Sequence, residues 1–170
     1  MFELSRVWSD LPYLLIGIPL AMGLTFGAFG LGTIMALPMA VVRMARPPII
    51  NAVVVGWIEF FRTTPPLVHI MWAYYVLPMV IDLRLSAVTV VIVALGANAS
   101  AQMAEIFRAG LQSIPRGQTE AAKVLGLSPW ARLRYVILPQ AVRLIMAPSV
   151  NAFVSLLKES SLAALIAVPE

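Results

Sequence analysis

The sequence predicts an all-α integral membrane protein with about four transmembrane helices and the start of a fifth. Two observations carry this. Hydrophobic residues fill 61% of the 170 positions and charged residues only 12%, and the mean hydropathy is +0.91, so there is too little polar surface to enclose a soluble core of this size. The apolar residues also fall in long, nearly uncharged runs of the length that a bilayer core of roughly 20 helical residues demands. The charge of +4 is spread between those runs and forms no basic patch interleaved with aromatics, so nucleic-acid binding is not expected. There is no cysteine, which excludes disulfides, thiol catalysis and cysteine-ligated metal. His69 is the one histidine and, inside an apolar run, reads as a packed ring rather than a ligand or base; no metal site is predicted.

Taken in order, Met1 to Asp10 is a short polar lead with Trp8 placed as an interfacial anchor. Pro12 to Val42 is long enough for one tilted or kinked span, on which Gly23 and Gly27, extended by Gly30 and Gly32, offer a face for close helix packing. Arg43 and Arg46 end it, and Pro47-Pro48 follow. Ile49 to Ile81 is too long for one straight span, at about 1.5 Å per residue against roughly 30 Å of hydrocarbon. The bend is expected at Thr63-Thr64-Pro65-Pro66, where the prolines remove backbone donors and the threonines re-satisfy nearby carbonyls. Glu59 and Arg62, spaced i, i+3 just before the bend, read as an ion pair within the membrane, a place in a solute path being the other reading. Trp72, Tyr74 and Tyr75 mark the outer interface, before Pro78.

After a polar link at Asp82 and Arg84, Ser86 to about Gly110 forms the third span. Its second half carries Asn98, Ser100, Gln102 and Glu105, a ladder that must face protein or a water-filled path. Glu105 and Arg108 have the spacing of a helix-surface salt bridge.

Gly117 to Pro139 is the longest stretch that is not plainly apolar. A short helix is expected from Gly117 to Leu125, with Glu120 in its first turn, Lys123 near its end and Gly126 as the residue that stops it. Ser128 and Pro129 open a second helix as N-cap and first residue, closed by Pro139. Ala121, Val124 and Leu125 recur at i, i+3 and i+4, an apolar stripe suited to a partner groove. Gln140 to about Leu157 is the fourth span, interrupted by Pro148, Ser149, Asn151 and Ser155. Lys158-Glu159-Ser160-Ser161 and an apolar start from Leu162 to Val168 precede Glu170.

The order Glu120-Ala121-Ala122, three residues, Gly126, nine residues, Val136, one residue, Leu138-Pro139 resembles the EAA signature of the membrane-spanning subunits of bacterial ABC importers, with Val136 where isoleucine is usual. Phe61 to Leu67, Ala104 to Gly110, Pro115 to Gln118, Leu138 to Ala141 and Leu157 to Leu162 are similar to the polar amino-acid branch of that family. The resemblance implies a type I importer permease fold, one transmembrane domain over 1–170 with a cytoplasmic coupling loop at 115–139, in a multi-pass protein of the bacterial inner membrane. It assigns Glu120, Ala121, Ala122, Val124, Leu125 and Gly126 to coupling with the ATPase. Glu59, Arg62, Thr63, Thr64, Gln102, Asn151 and Ser155 are the candidates for the substrate path. Relatives of this kind continue through one further helix, so the chain is expected to be a fragment or a truncated product.

No glycine-rich phosphate loop and no nucleophile-base set occurs. The chain is therefore not expected to be an enzyme or to bind a cofactor. ATP and Mg belong to a partner ATPase dimer, and an extracytoplasmic solute-binding protein and a second permease subunit, identical or not, complete the implied assembly. Arg43, Arg46, Arg108, Arg116, Lys123, Arg132 and Arg134 lie in two loops, against Arg6, Arg84 and Lys158 in the others, which places the first two in the cytoplasm and the N-terminus outside. A permease for another solute, such as an osmoprotectant, and a non-transporting membrane scaffold are the alternative functions.

Overall fold

The computed structural model describes residues 4–82 and 85–166, with side chains from 17 onward except at 81, 164 and 165. The expectations at the Arg6 and Trp8 side chains, at Arg84 and from 167 to Glu170 lie outside the described residues. The described elements are helical. They run α1 (Leu4–Ala45), α2 (Pro48–Thr63), α3 (Pro66–Met71), a π-helical turn (Trp72–Val76), α4 (Leu77–Ile81), α5 (Ala87–Gln112), α6 (Arg116–Val124), α7 (Pro129–Arg132), a second π-helical turn (Leu133–Ile137), α8 (Leu138–Ser160) and a 3-10 segment (Ser161–Ile166). Three stretches are long and apolar enough to cross a membrane: Gly17–Ala45, Ala87–Gln112 and Pro129–Ala163. The expected second span is divided at Thr64-Pro65 between α2 and the shorter rod that begins at Pro66.

Helix α5 is the axis of the bundle. Its middle, from Ala94 to Ala101, is buried throughout, because α1, α2 and α8 all pack on it. Small residues make the α1 contact close. A Cβ built on Gly32 would stand 2.6 Å from the Ala99 Cβ and 2.8 Å from the Gly96 carbonyl oxygen, so backbone meets backbone here. Of the expected packing face, Gly27 does touch Ile92, but Gly23 and Gly30 face open space. The seam therefore runs through Gly27 and Gly32 to Gly96 rather than along Gly23 and Gly27.

Two apolar clusters flank this contact. Leu24, Ala28, Ile70, Val91, Leu95 and Leu156 form one, and Ala36, Ile58, Ala101, Met103 and Ala104 the other. Outward-facing Ile18, Phe26, Ile34, Leu37 and Val41 leave α1 with an apolar surface suited to lipid or another apolar helix.

Prolines expected to end helices do not all do so. Pro139 was expected to close the helix begun at Ser128, and Pro148 to interrupt the fourth span; instead the chain is helical from Pro129 to Ser160. Before Pro139 the helix widens into the π turn, in which the Leu138 N–H bonds to the Leu133 carbonyl. The extra residue in the turn relieves the clash between the proline ring and the preceding turn. The same device precedes Pro78, where the Leu77 N–H bonds to the Trp72 carbonyl. Both π turns are followed by Leu-Pro, in Tyr74-Tyr75-Val76-Leu77-Pro78 and Tyr135-Val136-Ile137-Leu138-Pro139. Pro148 and Leu144, whose carbonyl the missing N–H would have met, both border a hollow of about 740 Å³, which leaves room for a water partner of the kind that freed carbonyls in membrane helices require.

Candidate functional site: a polar cavity at a broken helix

The break between α2 and α3 is built as the sequence predicts. Thr64 and Pro65 are extended, with ψ of 133° and 139°, because each precedes a proline. The Thr63 hydroxyl donates to the Glu59 carbonyl at 2.7 Å. The carbonyl of Phe61 would have accepted from residue 65 in an unbroken helix, and proline has no N–H to give. Its donor comes from across the bundle: the Asn98 side-chain amide reaches it at 2.7 Å. Gln102 in turn donates to the Asn98 Oδ1 at 2.7 Å, and the Trp57 indole donates to the Ser100 hydroxyl at 3.1 Å. The polar ladder of α5 thus faces protein, as expected, and holds the break open.

A cavity of about 410 Å³ lies beside it, lined by Phe61, Arg62, Thr63, Thr64, Pro65, Pro66, Asn98, Gln102 and Glu159. The larger 740 Å³ hollow continues from Arg62 and Gln102 past Glu105 toward the α6 end of the bundle. An apolar groove of about 580 Å³ between α1 and α8 offers a single polar side chain, Ser149. Polar side chains therefore line the break and the hollow that continues from it.

Four of the seven path candidates meet there: Arg62, Thr63, Thr64 and Gln102. Glu59 and Arg62 do not form the expected ion pair. Both side chains are exposed, and the ion pairs among the described residues join Glu105 to Arg43 and to Arg108. Arg62 lines the cavity, and Glu59 does not. Asn151 and Ser155 are exposed on α8 and also lie outside it. They stand at i, i+4, i+8 with Glu159, so the three share one helix face. Glu159 is the wall residue that the sequence reading left out of the path. Its Oε2 is buried without a hydrogen-bond partner among the described residues, and the i, i+4, i+8 spacing from Asn151 and Ser155 was the signal that could have found it.

His69 is a packed ring, 7% exposed, with ring centroids 5.2 Å from Phe60 and 4.6 Å from Phe61. No group of three or more His, Cys, Asp or Glu side chains among the described residues is placed to hold a metal.

The second expected site is the bracket. Helix α6 begins at Arg116, which puts Glu120 in its second turn and not, as expected, in the first. Its end is a Schellman motif: the Leu127 N–H bonds to the Ala122 carbonyl at 3.1 Å and the Gly126 N–H to that of Lys123 at 2.9 Å. Gly126 has φ +71°, the left-handed conformation that glycine alone adopts without steric cost. Ser128 caps α7 by accepting from the Ala131 N–H at 3.3 Å. Val124 and Leu125 are 89% and 78% exposed, and Ala121 is exposed beside them. Ala122, at 3%, faces its own chain, where α6 lies against the second π turn.

The family described as "Binding-protein-dependent transport system inner membrane component" matches residues 28–169. The chain is 35% identical to the "Probable amino-acid ABC transporter permease protein YckA" of Bacillus subtilis (strain 168) over 170 residues, 100% of this chain and 75% of that relative. It is also 35% identical to the "Glutamine transport system permease protein GlnP" of Escherichia coli (strain K12), covering 99% and 78%. It is 36% identical to the "Octopine transport system permease protein OccM" of Rhizobium radiobacter, covering 99% and 72%. Among solved structures, the "Crystal structure of an amino acid ABC transporter with histidines" superposes with a TM-score of 0.87 at 35% identity, covering 98% of this chain and 77% of that one. The inward-facing MetNI methionine ABC transporter shares the fold, with a TM-score of 0.75 at 21% identity. With the helical bundle, the broken span and the glycine-stopped bracket all in place, the chain belongs to the family of inner-membrane components of binding-protein-dependent transport systems, as one of its membrane-spanning permease subunits.

Proposed function

We propose that the chain forms half of the translocation path of an ATP-driven importer of polar amino acids, and that the cavity at the Thr64-Pro66 break is where the solute passes. The observation that carries this is the chemistry of its wall. Arg62 and Glu159 bring a guanidinium and a carboxyl group to the wall of one hollow, which the amides of Asn98 and Gln102 also line. An amino acid carries one carboxylate and one ammonium at neutral pH, and a planar guanidinium is suited to the first. A volume of about 410 Å³ falls in the range of roughly 300–1,000 Å³ usual for small-molecule sites. A quaternary osmoprotectant would call for an aromatic cage, and Phe61 is the one aromatic lining residue. Asn151, Ser155 and Glu59 extend the path on surfaces this chain leaves exposed, toward a second permease subunit.

Helix α6 is the contact for an ATPase dimer, through Ala121, Val124 and Leu125; ATP and Mg stay on that partner, and this chain binds no cofactor. The ion pair between Arg43 and Glu105, N–O 3.2 Å, supports a single sidedness for the two basic loops, since it brings the end of α1 to the end of α5 that leads into α6. On the positive-inside rule that end is cytoplasmic, the N-terminus is outside, and a solute-binding protein docks at the opposite face of a bacterial inner membrane. The test is purification in detergent with the products of neighbouring genes, followed by reconstitution. The proposal expects an ATPase to co-purify and proteoliposomes to take up L-glutamine, L-histidine or octopine in an ATP- and binding-protein-dependent manner. Uptake of glycine betaine alone would favour an osmoprotectant permease, and stable membrane insertion without ATPase capture a scaffold.

A further inference from the structure

We infer that Glu105 is a positioning residue for transport, clamping the α6 end of α5 to α1 so that movement of α6 reaches the cavity. This rests on the reading of α6 as the ATPase contact. Each oxygen of the Glu105 carboxylate has its own arginine. Oε1 accepts from the Arg43 Nε at 3.2 Å, across 62 residues of sequence. Oε2 accepts from the Arg108 Nε at 2.9 Å and a terminal nitrogen at 2.5 Å, within the same helix.

The Arg43 link is the structurally telling one. Arg43 lies three residues before Arg46, whose φ of +53° turns the chain toward Pro47, and a terminal nitrogen of Arg43 also reaches the Asn51 Oδ1 on α2 at 3.5 Å. One guanidinium therefore gathers the end of α1, the start of α2 and the side of α5. From Glu105, α5 runs unbroken to Gln112, and Ser113 to Pro115 connect it directly to α6. In the other direction, one helical turn back, Gln102 lines the cavity. Glu105 thus stands between the moving part and the solute site. Its side chain is 17% exposed, so water competes weakly for it. The guanidinium of Arg108 tightens the carboxylate but joins α5 only to itself, and its other contact, to Gln112 at 2.7 Å, is again within α5.

Two roles make opposite demands. If Glu105 merely needs its charge balanced, the shorter and more numerous contacts of Arg108 matter most. If it clamps two helices, Arg43 matters most. The experiment uses the complete reconstituted transporter and, as probe, whichever of L-glutamine, L-histidine and octopine the wild type takes up, with uptake and ATP hydrolysis measured together. A coupling free energy of typical size corresponds to factors of roughly 5 to 150. Arg43→Gln and Glu105→Gln should each lower solute moved per ATP by at least about 5-fold, and the double variant should be no worse than either. Arg108→Gln should stay within about 2-fold of wild type, and Arg43→Lys should recover most of the loss. Thermal melting of each complex separates a lost clamp from a lost fold. Wild-type coupling in a folded Arg43→Gln complex, or an Arg108→Gln loss as large as that of Glu105→Gln, overturns the clamp. Failure of the wild-type chain to capture an ATPase instead refutes the reading of α6 beneath it.

Discussion

Replacing Asn98 by leucine should weaken the broken helix. The two side chains branch alike, but a methyl cannot sit 2.7 Å from a carbonyl oxygen, so the change removes the hydrogen bonds and adds some crowding, both of which destabilise. Asn98 is 3% exposed, and its amide is the donor to the Phe61 carbonyl at 2.7 Å, which Pro65 leaves without a backbone partner. An orphaned buried acceptor costs about 1–3 kcal/mol. Side-chain hydrogen bonds measured within membrane helices lie lower, near 0.6 and up to about 1.7 kcal/mol, and the adjoining cavity lets water supply part of what is lost. A loss of about 1–2 kcal/mol is the expected outcome. At roughly 2–4 °C per kcal/mol for a chain of this size, the midpoint of thermal unfolding in detergent should fall by about 2–8 °C. An ionised aspartate offers no donor, so Asn98→Asp should fall at least as far despite its closer shape. A midpoint within about 1 °C of wild type for Asn98→Leu would refute the claim that this amide replaces the donor that proline removes.

Gly32→Val should cost about 1–3 kcal/mol by overpacking the α1–α5 seam, read as a lower melting midpoint, because even a Cβ would stand 2.6 Å from that of Ala99; an unchanged midpoint would mean the two backbones part easily. Cysteines at Thr63 and Thr64 should react with small water-soluble thiol reagents in the cycling transporter, while one at Ile58, 1% exposed, should not; protection of both threonine positions in every state would remove the break from the solute path. Gly126→Val should cost about 1–2 kcal/mol at a left-handed position and abolish ATPase stimulation by loaded binding protein. Ala121→Asp should lower ATPase co-purification, and wild-type behaviour of both variants would reduce the bracket to a connector.

Much of this was legible in the chain because the relevant forces are local. A proline pair inside a long apolar run removes two successive backbone donors and breaks the helix there, Ser128-Pro129 caps a helix by its own geometry, and a glycine three residues after Lys123 stops one. Composition alone required membrane helices. What the sequence reading missed depends on contacts across the bundle or on compensation. Glu59 and Arg62 have the spacing of a pair, but both are exposed, where an ion pair gains little and spacing alone does not enforce one. Arg43 and Glu105 are 62 residues apart and have no periodicity to connect them. Pro139 reads as a stop and Pro148 as an interruption because the rule for prolines assumes a regular helix, and a π turn or an adjacent hollow suspends it. Glu159 has no local signal beyond its spacing from Asn151 and Ser155, since its role depends on a cavity assembled from α2, α5 and α8.

The most direct test of the central claim is amino-acid uptake by the reconstituted transporter after replacing, one at a time, the two ionisable side chains that line the cavity, Arg62 and Glu159. Arg62→Gln and Glu159→Gln should each reduce kcat/KM for uptake by roughly 10-fold or more, the effect of losing about 1.4 kcal/mol, with the ATPase still bound. Lys158→Gln, one residue from Glu159 but exposed and outside the cavity wall, should leave uptake near wild type. Equal, near-normal uptake by all three variants would contradict the assignment of this cavity as the solute path.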